Sequence, residues 1–145
     1  MSRFRLASVF RARQAQEDVA KAEVVRAHGQ TRAATRLARQ FADRLDESTV
    51  PEEGVARAIL ASMAARRSLA AGLATAHRAV AAAEDNAAAK LAELAEAAKR
   101  RKAVEMLAER YEEDLKREAL AADQRVIDEL AVTGGQRTAA REVNS

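Results

Sequence analysis

Stepping alternately four and three residues along the chain from Leu6 gives Leu6, Phe10, Arg13, Glu17, Ala20, Val24, Ala27, Thr31, Ala34, Ala38, Phe41 and Leu45. Nine of those twelve positions are apolar, so they read as one seam of a coiled-coil helix, interrupted by polar residues near its start. The same stepping from Val55 gives Val55, Ile59, Ser62, Arg66, Leu69, Leu73, Ala76, Val80, Ala83, Ala87, Lys90 and Leu94, a second and slightly weaker seam. Between the two seams lies the one proline of the chain, Pro51, which disfavours helix for the residue before it. The pattern predicts a helix over 3–46, a turn over 47–53 and a helix over 53–132. Ser48 or Thr49 suits the cap of the second helix, and Glu52 and Glu53 suit its positive N-terminal end. A loop this short joins antiparallel neighbours. The expected fold is all-α: a long antiparallel two-helix coiled coil, an α-helical hairpin with an overhanging C-terminal helix.

The two helices are unequal, roughly 65 Å and roughly 120 Å at 1.5 Å rise per residue. With the turn centred near Val50, facing residues have numbers that sum to about 100, an expectation of the turn position. Phe41 then meets Ile59, Leu45 meets Val55, Ala27 meets Leu73, Ala20 meets Val80 and Leu6 meets Leu94. Gly29 falls beside Gly72 in that register, which predicts a soft point or an unusually close approach. Everything beyond about Ala98 lacks an intramolecular partner, yet Val104, Leu107, Tyr111, Leu115, Val126, Ile127 and Leu130 keep a broken apolar stripe through it. A stripe facing only water is a binding surface or a dimer seam. Thr133-Gly134-Gly135 reads as the helix stop, so residues 1–133 form a single helical hairpin and 134–145 a disordered tail.

Composition narrows the class. Hydrophobic residues make up 48% of the 145 positions but aromatic ones only 3%, and alanine forms helix readily while burying little. With 32% charged residues, the balance favours long solvated helices over a rounded core. The absence of cysteine excludes disulfides and thiolate metal sites. The first twenty residues alternate charges too closely for a signal peptide, and the Ala-rich stretch 68–76 is far too short for a membrane span. A net charge of +3 with acids following bases nearly everywhere argues against a nucleic-acid partner.

No catalytic constellation stands out, and no cofactor or metal is expected. Gly134 and Gly135 end a helix rather than opening a phosphate loop. His28 and His77 read as exposed helix residues, and Glu52-Glu53 and Glu112-Glu113 as solvated faces. Two charge features remain. Lys99, Arg100, Arg101 and Lys102 form a basic run, and Arg3, Arg5, Arg11 and Arg13 fall at the same end of the hairpin, where together they would make it locally positive. The alternative is an ordinary helix face laced by pairs such as Arg101 with Glu105. The other feature is the string Asp123-Gln124-Arg125-Val126-Ile127-Asp128-Glu129-Leu130-Ala131.

Phe4-Arg5-Leu6 at the start, a long helix, a short break, a second helix carrying Lys102-Ala103-Val104-Glu105-Met106-Leu107-Ala108-Glu109-Arg110-Tyr111, and that closing string together resemble the FliJ family of flagellar export proteins. The resemblance implies a non-enzymatic stalk of the flagellar type III export apparatus, similar to the two-helix stalk of the ATP synthase gamma subunit. It implies as partners the hexameric flagellar export ATPase, a membrane export gate protein and export chaperones. It also implies a cytoplasmic location at the inner face of the membrane, without direct insertion. Gln124, Arg125, Asp128 and Glu129 match the closing motif and are the expected ATPase contacts, with Arg5, Arg11 and Arg13 added by geometry. The gate contact of that family lies nearer the turn, where this chain offers Phe41, Leu45, Ile59 and Met63; the seam claims the first three as packing residues as well. The competing reading is a self-associating structural coiled-coil protein with no export role.

Overall fold

The computed structural model describes the backbone of residues 3–142 and the side chains of residues 5–134. It contains two long helices packed against each other, α1 (Arg3–Glu47) and α2 (Ala56–Glu142), with no strand among the described residues. The chain is therefore the expected all-α helical hairpin. It divides into two compact units, Ala12–Arg100 and a terminal unit of Met1–Arg11 with Arg101–Ser145.

In the unit Ala12–Arg100 every position that the stepping assigns to the α1 seam, from Arg13 to Leu45, is buried or half-buried. Val24, Ala27 and Ala38 are the buried apolar residues from α1, and Ala76 and Ala87 those from α2. Glu17 is also buried in the seam, with Lys21 Nζ at 3.0 Å from its carboxylate. Four of the five buried apolar residues of this unit are alanine, which lets the helices approach closely, but each such contact removes little apolar surface from water.

The register differs from the expected one. Phe41 lies against Gly72, where an added Cβ would come within 2.5 Å of Phe41 Cε1, and Lys90 pairs with Glu23. Both pairs sum to 113, so α2 is displaced by about two heptads from the sum of 100. Gly29 has nothing within 4 Å of a built Cβ, so the two glycines do not share a level. The displacement originates at the connection. Residues 48–55 are non-helical, and Gly54, at φ 146°, holds a conformation that favours glycine and delays the second helix past 53.

Ser48 closes α1 rather than opening α2. Its N–H donates to the Arg44 and Leu45 carbonyls and its hydroxyl donates to Leu45 O at 2.8 Å. The start of α2 is set instead at Val55, whose carbonyl accepts from Ala58 N–H at 2.8 Å. Arg66, a seam position that remains exposed, turns its guanidinium to the end of α1. Its Nη1 donates to the carbonyls of Leu45 and Ser48 and to the Ser48 hydroxyl. A cation against the last carbonyls of a helix satisfies them and complements its dipole.

In the terminal unit, Leu6 is buried and Phe10 half-buried on α1, and Val104, Ala108 and Tyr111 are half-buried on α2. Every described residue from Glu112 to Gly134 is exposed. The uncovered stretch thus begins after Tyr111 instead of Ala98, the change that the shifted register requires. The helix does not stop at Thr133-Gly134-Gly135: α2 continues to Glu142. Gly134 has no positive φ, so no left-handed cap forms there, and the next residues include the good helix formers Gln136, Arg137, Ala139 and Ala140. Residues 143–145 of the expected tail lie outside the described residues.

The two glycines make a paired test of the register. Gly29→Ala should raise stability by about 1 kcal/mol, the usual gain of alanine in a helix interior. Gly72→Ala meets the Phe41 ring and should lower the melting temperature, because displacing that ring from the seam costs more than the propensity gain. Thermal unfolding followed by circular dichroism reads both; equal stabilisation by the two would contradict the contact of Phe41 with Gly72.

Candidate interaction surface

Gln124, Arg125, Asp128 and Glu129 all lie on α2 within the uncovered stretch, and all four are exposed. Gln124 Nε2 donates to Asp128 Oδ1 at 3.2 Å, one turn away, and the Glu129 carbonyl accepts from Thr133 Oγ1 at 2.7 Å. No burial marks them. They form a polar surface available to a macromolecule, with nothing that concentrates chemistry on a small substrate.

The arginines stand elsewhere. Arg5 and Arg11 are exposed on the first turns of α1, where the Arg5 carbonyl accepts from Ser8 Oγ at 2.8 Å and Arg11 Nε donates to Ala7 O at 3.4 Å. In the terminal unit Leu6 and Phe10 share a groove with Ala108 and Tyr111. Gln124 follows Ala108 by sixteen residues, about 24 Å of helix, so the fold does not bring Arg5 and Arg11 to the closing motif. Arg13 belongs to the other unit, half-buried, with Nη1 donating to Gln16 Oε1 at 2.9 Å. It lines an open groove there that also carries Glu23, Glu93, Glu96 and Arg100.

Of the two readings of the basic run, the structure favours the ordinary laced face. Lys99 pairs with Glu96 at 3.1 Å and Arg101 with Glu105 at 3.0 Å, the ordinary intrahelical lacing of a solvated face. From Glu112 to Val132 the chain carries seven acids against three bases, so the stretch that leaves α1 behind is acidic although the whole chain is at +3. The side chain of Arg3 lies outside the described residues.

Phe41, Leu45 and Ile59 are half-buried in the seam, and Met63 is exposed. Phe41 is committed to Gly72 and the Leu45 carbonyl to Arg66. Of these four, Met63 alone presents a largely free side chain, at 40% exposure. The stepping does not flag Arg66 as an anchor or Glu23 as a cross-helix partner; the facing of Glu23 and Lys90 emerges only once the register is known.

Lys90 sits between Glu23 Oε2 at 3.1 Å and Glu93 Oε2 at 3.2 Å. Hydrogen bonding to Glu23 first, and to Glu93 second, holds its pKa above the ordinary value of 10.5. The pair is the clearest cross-helix polar clasp in the unit Ala12–Arg100, and it favours the observed register over its neighbours.

Among the described residues no helix is long and apolar enough to cross a membrane. A protein-family model described as "FliJ: Flagellar FliJ protein" matches residues 1–140. No curated protein and no solved structure matches the chain.

The raised Lys90 pKa has a defined consequence for stability. Its contribution is fully present below about 10.5 and is lost as pH rises through the higher folded-state value. Glu23→Gln should therefore melt below wild type near neutral pH, and the gap should narrow at alkaline pH. A gap that stays constant through that range would contradict a charge-dependent clasp.

Proposed function

The chain belongs to the FliJ family of flagellar proteins, and from that membership we propose that it serves as a stalk that binds the hexameric flagellar export ATPase and couples it to the membrane export gate. The observation that carries the proposal is the family match over nearly the whole chain. Membership implies a structural, chaperone-like component of the flagellar export apparatus. The architecture suits the finer reading: α2 continues past its cover, and the residues of the closing motif sit exposed on it.

The mechanism we infer is mechanical and allosteric, with no catalysis by this chain. A single asymmetric helix in a sixfold ring cannot meet all six subunits alike, so it favours some subunit conformations over others. Charged contacts suit that role, because polar groups in a wet channel exchange partners at little cost as subunits change state. Within this reading Gln124, Arg125, Asp128 and Glu129 make the ATPase contact, and Arg5, Arg11 and Arg13 contribute charge elsewhere on the hairpin. Met63 is the strongest gate-facing candidate of its group, since Phe41, Leu45 and Ile59 are occupied in packing. Such a stalk works at the cytoplasmic face of the inner membrane, with export chaperones as further partners.

Asp128→Ala with Glu129→Ala replaces two exposed side chains, so the hairpin should keep its helicity and melting temperature. Co-purification with the flagellar export ATPase and stimulation of ATP hydrolysis should both fall, by about tenfold if two charge-assisted contacts are lost. Wild-type binding and stimulation by the double variant would reject the assignment of these residues.

A further inference from the structure

Beyond Tyr111 the apolar face of α2 does not fade; its spacing changes. Tyr111, Leu115, Ala119, Ala122, Val126 and Leu130 succeed one another at steps of four, four, three, four and four, which keeps them on one face of the helix. Leu115, Val126 and Leu130 are exposed by 42%, 56% and 66%. At its start the stripe runs into an open groove of about 300 Å³. Leu6, Phe10 and Tyr111 form its apolar lining, and Glu105, Glu109 and Glu112 stand on its walls.

The acidic border continues along the stripe. Helical spacing puts Asp123 and one base, Lys116, on the flank that carries Glu105 and Glu112, and Glu118, Glu129 and one base, Arg125, on the opposite flank. An apolar strip about 30 Å long and one helix wide matches a single helix of about twenty residues. Carboxylates on both borders select the charge of what lies on it.

We propose that this groove and stripe dock an amphipathic α-helix of a partner protein, with lysine and arginine bordering its apolar face. The inference goes beyond the stalk reading, because it rests on the terminal unit alone and assigns the chemistry of the docked helix. A second copy of the chain fits poorly: the stretch Ala103–Val132, with nine acids to four bases, would meet its own charge. Ala119 and Ala122 would also leave such a pair few large side chains to bury. A basic helix removes both objections, by neutralising the borders and supplying the bulk that the alanines leave room for.

The test is a titration of the full chain with three synthetic peptides of about twenty residues, each free of tyrosine and tryptophan. One is a leucine-striped helix bordered by lysine and arginine, one replaces those bases with glutamate, and one scrambles the first so that no stripe remains. The basic striped peptide should bind at least about tenfold more tightly than the other two, and weaken as salt rises from about 0.1 to about 0.5 M. It should also alter the emission of Tyr111, the one tyrosine in a chain without tryptophan. Glu109→Lys with Glu112→Lys, and separately Leu115→Gln with Val126→Gln, should each lower its affinity by about tenfold. Glu52→Lys with Glu53→Lys in the turn should leave it unchanged. Equal binding of the scrambled peptide, or undiminished affinity in the Glu109 and Glu112 variant, would overturn the proposal. So would a dimer of the unliganded chain by light scattering at the same concentration, since the stripe would then be covered by its own copy.

Discussion

The packing of the unit Ala12–Arg100 depends on the register in which α2 lies against α1. Four of its five buried apolar residues are alanine, and no large side chain among the described residues is fully buried, so no single apolar contact is strong enough to choose the alignment. Three specific fits do so. The Phe41 ring occupies the space that Gly72 leaves, the Lys90 ammonium lies between Glu23 and Glu93, and the Arg66 guanidinium closes the end of α1. Each is weak alone, and two of them are exposed or half-buried polar contacts of the kind that contribute modestly. Together they penalise every neighbouring alignment, because one slip breaks all three.

That distribution explains which parts of the fold were legible in the residues. Both helices and the exposed overhang arise from the four-three spacing; all twelve α1 positions chosen by the stepping are buried or half-buried. Of the twelve positions of the second seam only Val55 and Arg66 are exposed; Val55 belongs to the connection, and Arg66 sits at the end of α1, where its guanidinium meets the last carbonyls. The alignment was not legible, because a seven-residue repeat matches itself equally well after a slip of two heptads. Pro51 marks a turn but not its length, and Gly54 with its positive φ extends the break. Gly134 carries the composition of a helix stop without the backbone geometry that makes one.

The candidate surface was legible as a location rather than as a chemistry. The closing motif lies exposed on the uncovered part of α2, with Gln124 hydrogen-bonded to Asp128 one turn away. The basic run Lys99 to Lys102 left two readings open, a positive end or an ordinary laced helix face, because basic side chains are conspicuous in such a run while the acids around them are dispersed. Pairing within the helix absorbs much of that positive charge, and the dispersed acids dominate the helix from Ala103 onward. The family membership and the exposed acidic helix are compatible, and together they describe a component that acts by contact.

The lengthened spacing after Leu115 carries a geometric consequence. A seven-residue apolar repeat turns slightly faster than the α-helix itself, so two helices that share one wind around each other to the left; an eleven-residue repeat lags the helix and winds to the right. The hairpin up to Tyr111 follows the first rule, whereas residues 111, 122, 115 and 126 obey the second. A helix that merely prolonged the path of α1 would drift off the stripe within a few turns. The chain thereby distinguishes, through handedness alone, between an extension of its own coiled coil and a separate guest.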